Sequence, residues 1–124
     1  MAIIESNIDE MVEVERRQRA AALFHCLADP MRLMILEHLR TGEHKVRELT
    51  EHLGLAQSTV SAHLACLREG NLVKVRAAGR SSFYSLCDER TLDQILRSAQ
   101  PLFAVRNVDH QWHDEHVPNL EGRS

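Results

Sequence analysis

Apolar positions recur with helical spacing along most of this chain, and the places where that period breaks mark out its elements. From about Ile8 to Cys26, Met11, Val14 and the Ala20–Leu23 run alternate with charged residues, which predicts a long first helix. Asp29-Pro30 breaks the chain and restarts it, with Asp29 suited to cap a helix and Pro30 to its first turn. Met31 to Arg40 is densely apolar and predicts a buried central helix ending at Thr41-Gly42. Two shorter helices follow, Val46 to Leu53 and Gln57 to Glu69, separated by Gly54, which can take positive φ at little cost. In the second of these, Val60, Leu64 and Leu67 fall at i, i+4 and i+7, while Gln57, Ser58, Thr59, Ser61 and His63 occupy the other face. Gly70-Asn71 closes it. Strand formers then take over: Leu72, Val73 and Val75, then Phe83 and Tyr84, around a hairpin tip at Ala77-Ala78-Gly79-Arg80. A last helix is predicted from Asp88 to Val105, with Leu92, Ile95, Leu96, Ala99, Leu102 and Phe103 on one face. Pro101 should kink or end it near Gln100. Beyond Arg106 the chain is polar and rich in histidine. The expected organisation is one domain over residues 1–106 and a tail over 107–124.

These elements give a mainly α fold with a small β-hairpin (α+β). Two short helices around a glycine turn, the second beginning with small polar residues, read as a helix-turn-helix whose second helix can present donors and acceptors to base edges in a major groove. The hairpin that follows reads as a wing. An ordinary αα-hairpin followed by a solvated hairpin fits the same pattern.

Charge sharpens the picture. The chain of 124 residues carries a formal net charge of −3, which argues against a generally basic coat. Between Gln57 and Cys87, however, Arg68, Lys74, Arg76 and Arg80 stand against Glu69 alone, while the first sixteen residues hold five carboxylates against Arg16. A basic face with an acidic beginning is compatible with nucleic-acid binding through that face. No apolar run approaches the length of a membrane helix, and the N-terminus has no basic n-region of a signal peptide. Three widely spaced cysteines, Cys26, Cys66 and Cys87, form no disulfide framework and suit a reducing cytoplasm.

The segments FHCLADPMRLMILEHL, ELTEHLGLAQSTVSAHLACLREGNLV and GRSSFYSL, in this order, resemble the ArsR/SmtB family of bacterial repressors over about Ala21 to Leu96. The resemblance implies a winged helix-turn-helix homodimer paired through its first and last helices. It also implies binding to a palindromic double-stranded operator, and release when an inducer, usually a metal ion, binds. By position, Gln57, Ser58, Thr59, Ser61 and His63 match the family's recognition-helix surface, and Arg76 and Arg80 its wing. Ser58, Ser61 and His63 are expected to face bases and Arg80 a phosphate. Ser58 as a plain N-cap and His63 as a packing histidine are the competing assignments.

The family's inducer sites transfer poorly. The Cys-x-Cys of one class is replaced here by HKVRELTEH. Of the Asp-x-His that opens the last helix in a second class, Asp88 matches and Arg90 does not. Of two cysteines four apart in the recognition helix of a third, Cys66 matches the first and Gly70 stands at the second. What remains is the tail, where His110, His113 and His116 lie three apart, a spacing that puts two imidazoles on one helical face and suits zinc, nickel or cobalt. A solvated, metal-free tail is the plainer alternative. The expected cofactor is therefore a divalent metal ion, zinc first, with cadmium at Cys66 as the competing half-site. Cys26 and Cys66 also suit small buried hydrophobes.

Three functions compete. The first is a metal-responsive repressor. The second is a thiol- or redox-responsive repressor of the same fold, which needs two cysteines distant in sequence to meet in space. The third is a winged-helix protein-interaction module without metal sensing. An enzyme is not expected: there is no Gly-rich phosphate loop, and no Ser/His/Asp spacing that suggests a triad.

Overall fold

A computed structural model describes residues 2–104, with side chains described from Ile8 onward. Helix α1 spans Ala2–Leu27. Its charged flank is stapled by Arg16–Glu13 and Arg19–Glu15 ion pairs at 2.7 and 2.6 Å. Most of its described length is exposed, and only Cys26 and Leu27 are buried. Asp29 then caps α2, Pro30–Leu39, as its sequence predicts: extended at φ −151°, its Oδ1 accepts the backbone N–H groups of Met31 and Arg32 at 2.8 and 3.1 Å. Helices α3 (Val46–Leu53) and α4 (Gln57–Glu69) begin and end where the pattern places them. Gly54 ends α3 in the left-handed region, φ 69°, and its N–H reaches Thr50 O at 3.0 Å.

The core lies among these helices. Ile35 and Leu36 of α2, Leu49 of α3, and Val60, Leu64 and Leu67 of α4 have no exposed surface. The i, i+4, i+7 row of α4 is thus its inner face, which leaves the polar N-terminal residues outside.

The chain leaves α4 through Asn71, which takes the left-handed conformation (φ 60°), while Gly70 keeps negative φ. Gly70 is required for space instead: a Cβ there would stand 2.7 Å from Cys26 Sγ. Strands β1 (Val73–Ala78) and β2 (Ser81–Leu86) then pair antiparallel, Val73 opposite Leu86 and Ala78 opposite Ser81. The turn is two residues, Gly79-Arg80, with Gly79 at φ 64°, the positive φ that a II′ hairpin asks of its first turn residue. His44, in the α2–α3 connection, bonds Tyr84 of β2 through both backbone groups at 2.9 and 2.8 Å, adding a one-residue third strand to the wing.

Residues 1–89 form one compact unit; residues 90–124 form a second, whose described part carries most of α5, Glu89–Phe103. Pro101 does not end this helix. It falls in the last turn, where only one internal bond is forfeited, and Ala104 N still reaches Gln100 O at 2.9 Å. The expected boundary between residues 106 and 107 lies outside the described residues.

Candidate nucleic-acid interface and metal-ligating side chains

Gln57, Ser58, Thr59 and Ser61 are all exposed at the N-terminal end of α4. The residue preceding the helix is Ala56, whose side chain offers no cap, so Ser58 is not the N-cap and its hydroxyl lies in the second position of the helix. Small hydroxyls and an amide on an exposed first turn, beside a helix N-terminus that favours anions, are suited to bases and phosphates.

His63 faces elsewhere. It is half-buried, with Nδ1 3.4 Å from Arg32 Nη1 and Nε2 3.9 Å from Asp29 Oδ1. Arg32 in turn donates through Nε to Cys26 O at 2.6 Å and through Nη2 to His25 O at 2.9 Å. His63 therefore belongs to a network that ties α4 to the end of α1 and the cap of α2. Although burial opposes ionisation of the Asp29 carboxyl, its pKa is lowered by the Arg32 and Met31 N–H groups and by His63 and Arg32. Beyond the Asp29 cap and the alternative of a packing His63, nothing in the sequence pointed to this network.

On the wing, Lys74, Arg76 and Arg80 are exposed. Arg80 stands at the turn itself. Arg76 is engaged: its Nη2 and Nε donate to Glu43 at 2.6 and 3.3 Å, and its guanidinium lies 4.8 Å from the Phe83 ring centre. The hydrogen bond and charge of that partner raise the Arg76 pKa and lower that of Glu43.

Cys66 is half-buried on α4, with its sulfur 3.5 Å from that of Cys26, forty residues away in sequence. Burial pushes the Cys26 thiol up, and the Cys66 hydrogen bond and charge push it further. The Cys26 sulfur lies over Gly70, 2.7 Å from where a Cβ at that position would stand. Two thiols fit the donor preference of soft metals once deprotonated. Cys87 is exposed. His110, His113 and His116 lie outside the described residues.

A further cluster joins His38, near the end of α2, His44, before α3, and His52, in the last turn of α3; their ligand atoms lie within 4.8 Å of one another. Each of the three is unremarkable in sequence, and only the fold brings them together. Burial, with His44 and His52 alongside, lowers the pKa of His38, which favours the neutral imidazole that metals require.

Among the described residues, no helix is long and apolar enough to cross a membrane. The profile of the bacterial regulatory protein, arsR family, matches residues 29–75, from the α2 cap into the first wing strand. The chain is 40% identical over 76 residues to a Streptomyces lividans protein described as a probable mercury resistance operon repressor; the match spans 61% of this chain and 61% of that protein's length. It is 40% identical over 96 residues to the HTH-type transcriptional regulator CmtR of Mycobacterium tuberculosis, covering 77% of this chain and 81% of that one. In structure it resembles the homodimeric winged helix-turn-helix DNA-binding domain of Mb0332 from Mycobacterium bovis, with a TM-score of 0.65, 25% identity, and coverage of 86% and 88%.

Proposed function

This chain belongs to the ArsR family of bacterial regulatory proteins, and from that premise we propose that it is a homodimeric repressor that holds a palindromic operator and lets go when a divalent metal ion binds. The family is one of transcriptional regulators and not of enzymes, so the chemistry to be explained is recognition and release. The observation that carries the reading is the exposed row Gln57, Ser58, Thr59 and Ser61 on α4, followed in the chain by an exposed wing turn with Arg80 at its tip. In this proposal the row reads base edges and Arg80 takes a phosphate. Arg76 joins only by exchanging Glu43 for a phosphate, and His63 holds α4 in place from behind. Dimerisation is assigned to the terminal helices, which expose Met11 and Val12 on α1 and Leu102 and Phe103 on α5. Such a regulator meets its operator in the cytoplasm.

The inducer proposed is zinc, nickel or cobalt at the tail histidines His110, His113 and His116, with thiophilic ions such as cadmium at Cys66 as the competing site. In neither case does the metal need more than a few kcal/mol of preference between dimer geometries to empty the operator.

A thiol-responsive repressor is the second reading, favoured by the 3.5 Å approach of Cys26 and Cys66. A hydroperoxide would accept two electrons from the pair. One thiolate attacks the peroxide oxygen, giving a sulfenic acid and an alcohol or water; the second displaces water, leaving a disulfide. Closing the bond draws the sulfurs to about 2.05 Å and pulls α4 against the end of α1.

Operator binding by fluorescence anisotropy tests the core of the proposal. Arg80→Ala should weaken all DNA alike and lower the salt slope by about one, as for a lost phosphate contact. Ser61→Ala should instead lower the preference for operator over random DNA. If both variants bind as wild type does, the face is misassigned. Titrating the operator complex with zinc, then with peroxide, in Cys66→Ser and in a triple His→Ala tail variant separates the inducers.

A further inference from the structure

We propose that His38, His44 and His52 form a binding site for a borderline divalent metal ion, zinc or cobalt, inside each winged helix-turn-helix and independent of the tail.

The donor chemistry is specific. His44 Nδ1 lies 2.7 Å from Gly42 O. A carbonyl oxygen only accepts, so Nδ1 carries the proton and Nε2 of the neutral ring is left with a bare lone pair. This is the arrangement by which proteins orient a ligating imidazole: the far nitrogen donates to a backbone carbonyl and fixes both tautomer and ring plane. His44 itself is buried, and its backbone is pinned on both sides by Tyr84 of β2, so the ring has little freedom to leave.

The other two rings converge on it. His38 Nε2 lies 2.7 Å from His52 Nδ1, and the ring centres are 4.6 Å apart for His38–His44, 4.8 Å for His38–His52 and 5.5 Å for His44–His52. Two nitrogens held at about 2.0–2.1 Å by a tetrahedral zinc stand roughly 3.4 Å apart. The present 2.7 Å contact brackets that value from below and the 4.8 Å spread of the ligand atoms from above, so small side-chain rotations, with the proton shared by His38 Nε2 and His52 Nδ1 moved to the far nitrogen of its ring, bring three nitrogens onto one ion. Glu48, whose pKa is lowered chiefly by the Lys45 N–H and further by His44 and His52, adds a negative charge beside the cluster. His52 is exposed, which leaves the fourth position to water. Three imidazoles and a water form a complete set for zinc or cobalt. Filled, the site would join the last turns of α2 and α3 to the residue that extends the wing sheet.

The test is a metal titration on the full chain in the absence of DNA, so it stands or falls apart from operator binding. Cobalt is the probe, in a variant carrying His110→Ala, His113→Ala, His116→Ala and Cys66→Ser, which removes the tail imidazoles and one thiol. We expect one cobalt per protomer with tetrahedral visible absorption and no thiolate charge-transfer band, displaced by zinc. Adding His52→Gln, at an exposed position that the fold does not need, should weaken cobalt binding by about 100-fold or more, with circular dichroism unchanged. His38→Gln should do the same. Absence of cobalt binding in the first variant, or unchanged affinity after His52→Gln, overturns the site.

Discussion

Arg32 is the one charge in the MRLMIL run, and its side chain is only 12% exposed. It is held there by the last carbonyls of α1: the guanidinium takes that of Cys26, and shares that of His25 with the Ala28 N–H, at the end where helical carbonyls lack helical partners. Arg32→Ala should therefore cost about 1.5–3 kcal/mol in urea denaturation, and Arg32→Lys should recover little, because an ammonium lacks the fork that spans two carbonyls. Asp29 supplies the other half of this junction. Its pKa is lowered in the folded protein, so its stabilising contribution is present above the ordinary carboxylate value of 3.8 and is lost as pH falls through that region towards the folded value. Asp29→Ala should cost about 1 kcal/mol at pH 7 and flatten the acid limb of the stability curve; an unchanged acid limb would mean that other carboxylates dominate it. The Asp29 cap was legible in sequence because capping is local. The Arg32 grip was not, because its partners belong to another helix, and neither were the three histidines, each in a different element. The Cys26–Cys66 contact joins positions forty residues apart, which no local pattern encodes.

At the scale of elements, helix boundaries were legible wherever a local signal marks them. Gly54, Asp29-Pro30 and the apolar row of α4 all act within a few residues, and the helix-turn-helix follows from them. Pro101 did not end α5 near Gln100, because the penalty of proline depends on position, and a last turn has little left to lose. The single-residue bridge of His44 to β2 carries no signal at all, since one strand-like residue has no period. The terminal helices give the prediction at this scale. Met11→Glu and Phe103→Glu replace side chains that are 70% and 64% exposed, so they should leave the protomer folded. The doubly substituted chain should sediment as a monomer and lose the palindrome while retaining its helical circular dichroism. A substituted chain that remains dimeric would move the interface off these helices. Leu92 is a poorer choice for the same test, because it is already buried within one chain.

At the scale of the whole molecule, charge is unevenly distributed along a chain that is acidic overall. Five of its carboxylates lie in the first sixteen residues, and four of its cations on α4 and the wing. An acidic balance weakens binding to arbitrary DNA, so in the proposed repressor specificity would rest on the few side chains of the α4 row. Operator affinity should accordingly fall steeply with salt while binding to random DNA is weak even at low salt. The distinction between repressor and interaction module was visible only through the family resemblance, because a basic wing by itself suits either.

The sulfur of Cys26 lying over Gly70 makes these two positions a single unit of inheritance. A side chain at position 70 needs space that the thiol now occupies, so the two sites are expected to drift together: a larger residue at one favours a smaller one at the other. Gly70→Ala should destabilise by about 1–3 kcal/mol, and Cys26→Ala in the same chain should return most of that loss. A double-mutant cycle with no coupling would show that the thiol simply swings aside. Related chains that carry a cysteine at position 70 should accordingly hold something smaller than cysteine at position 26.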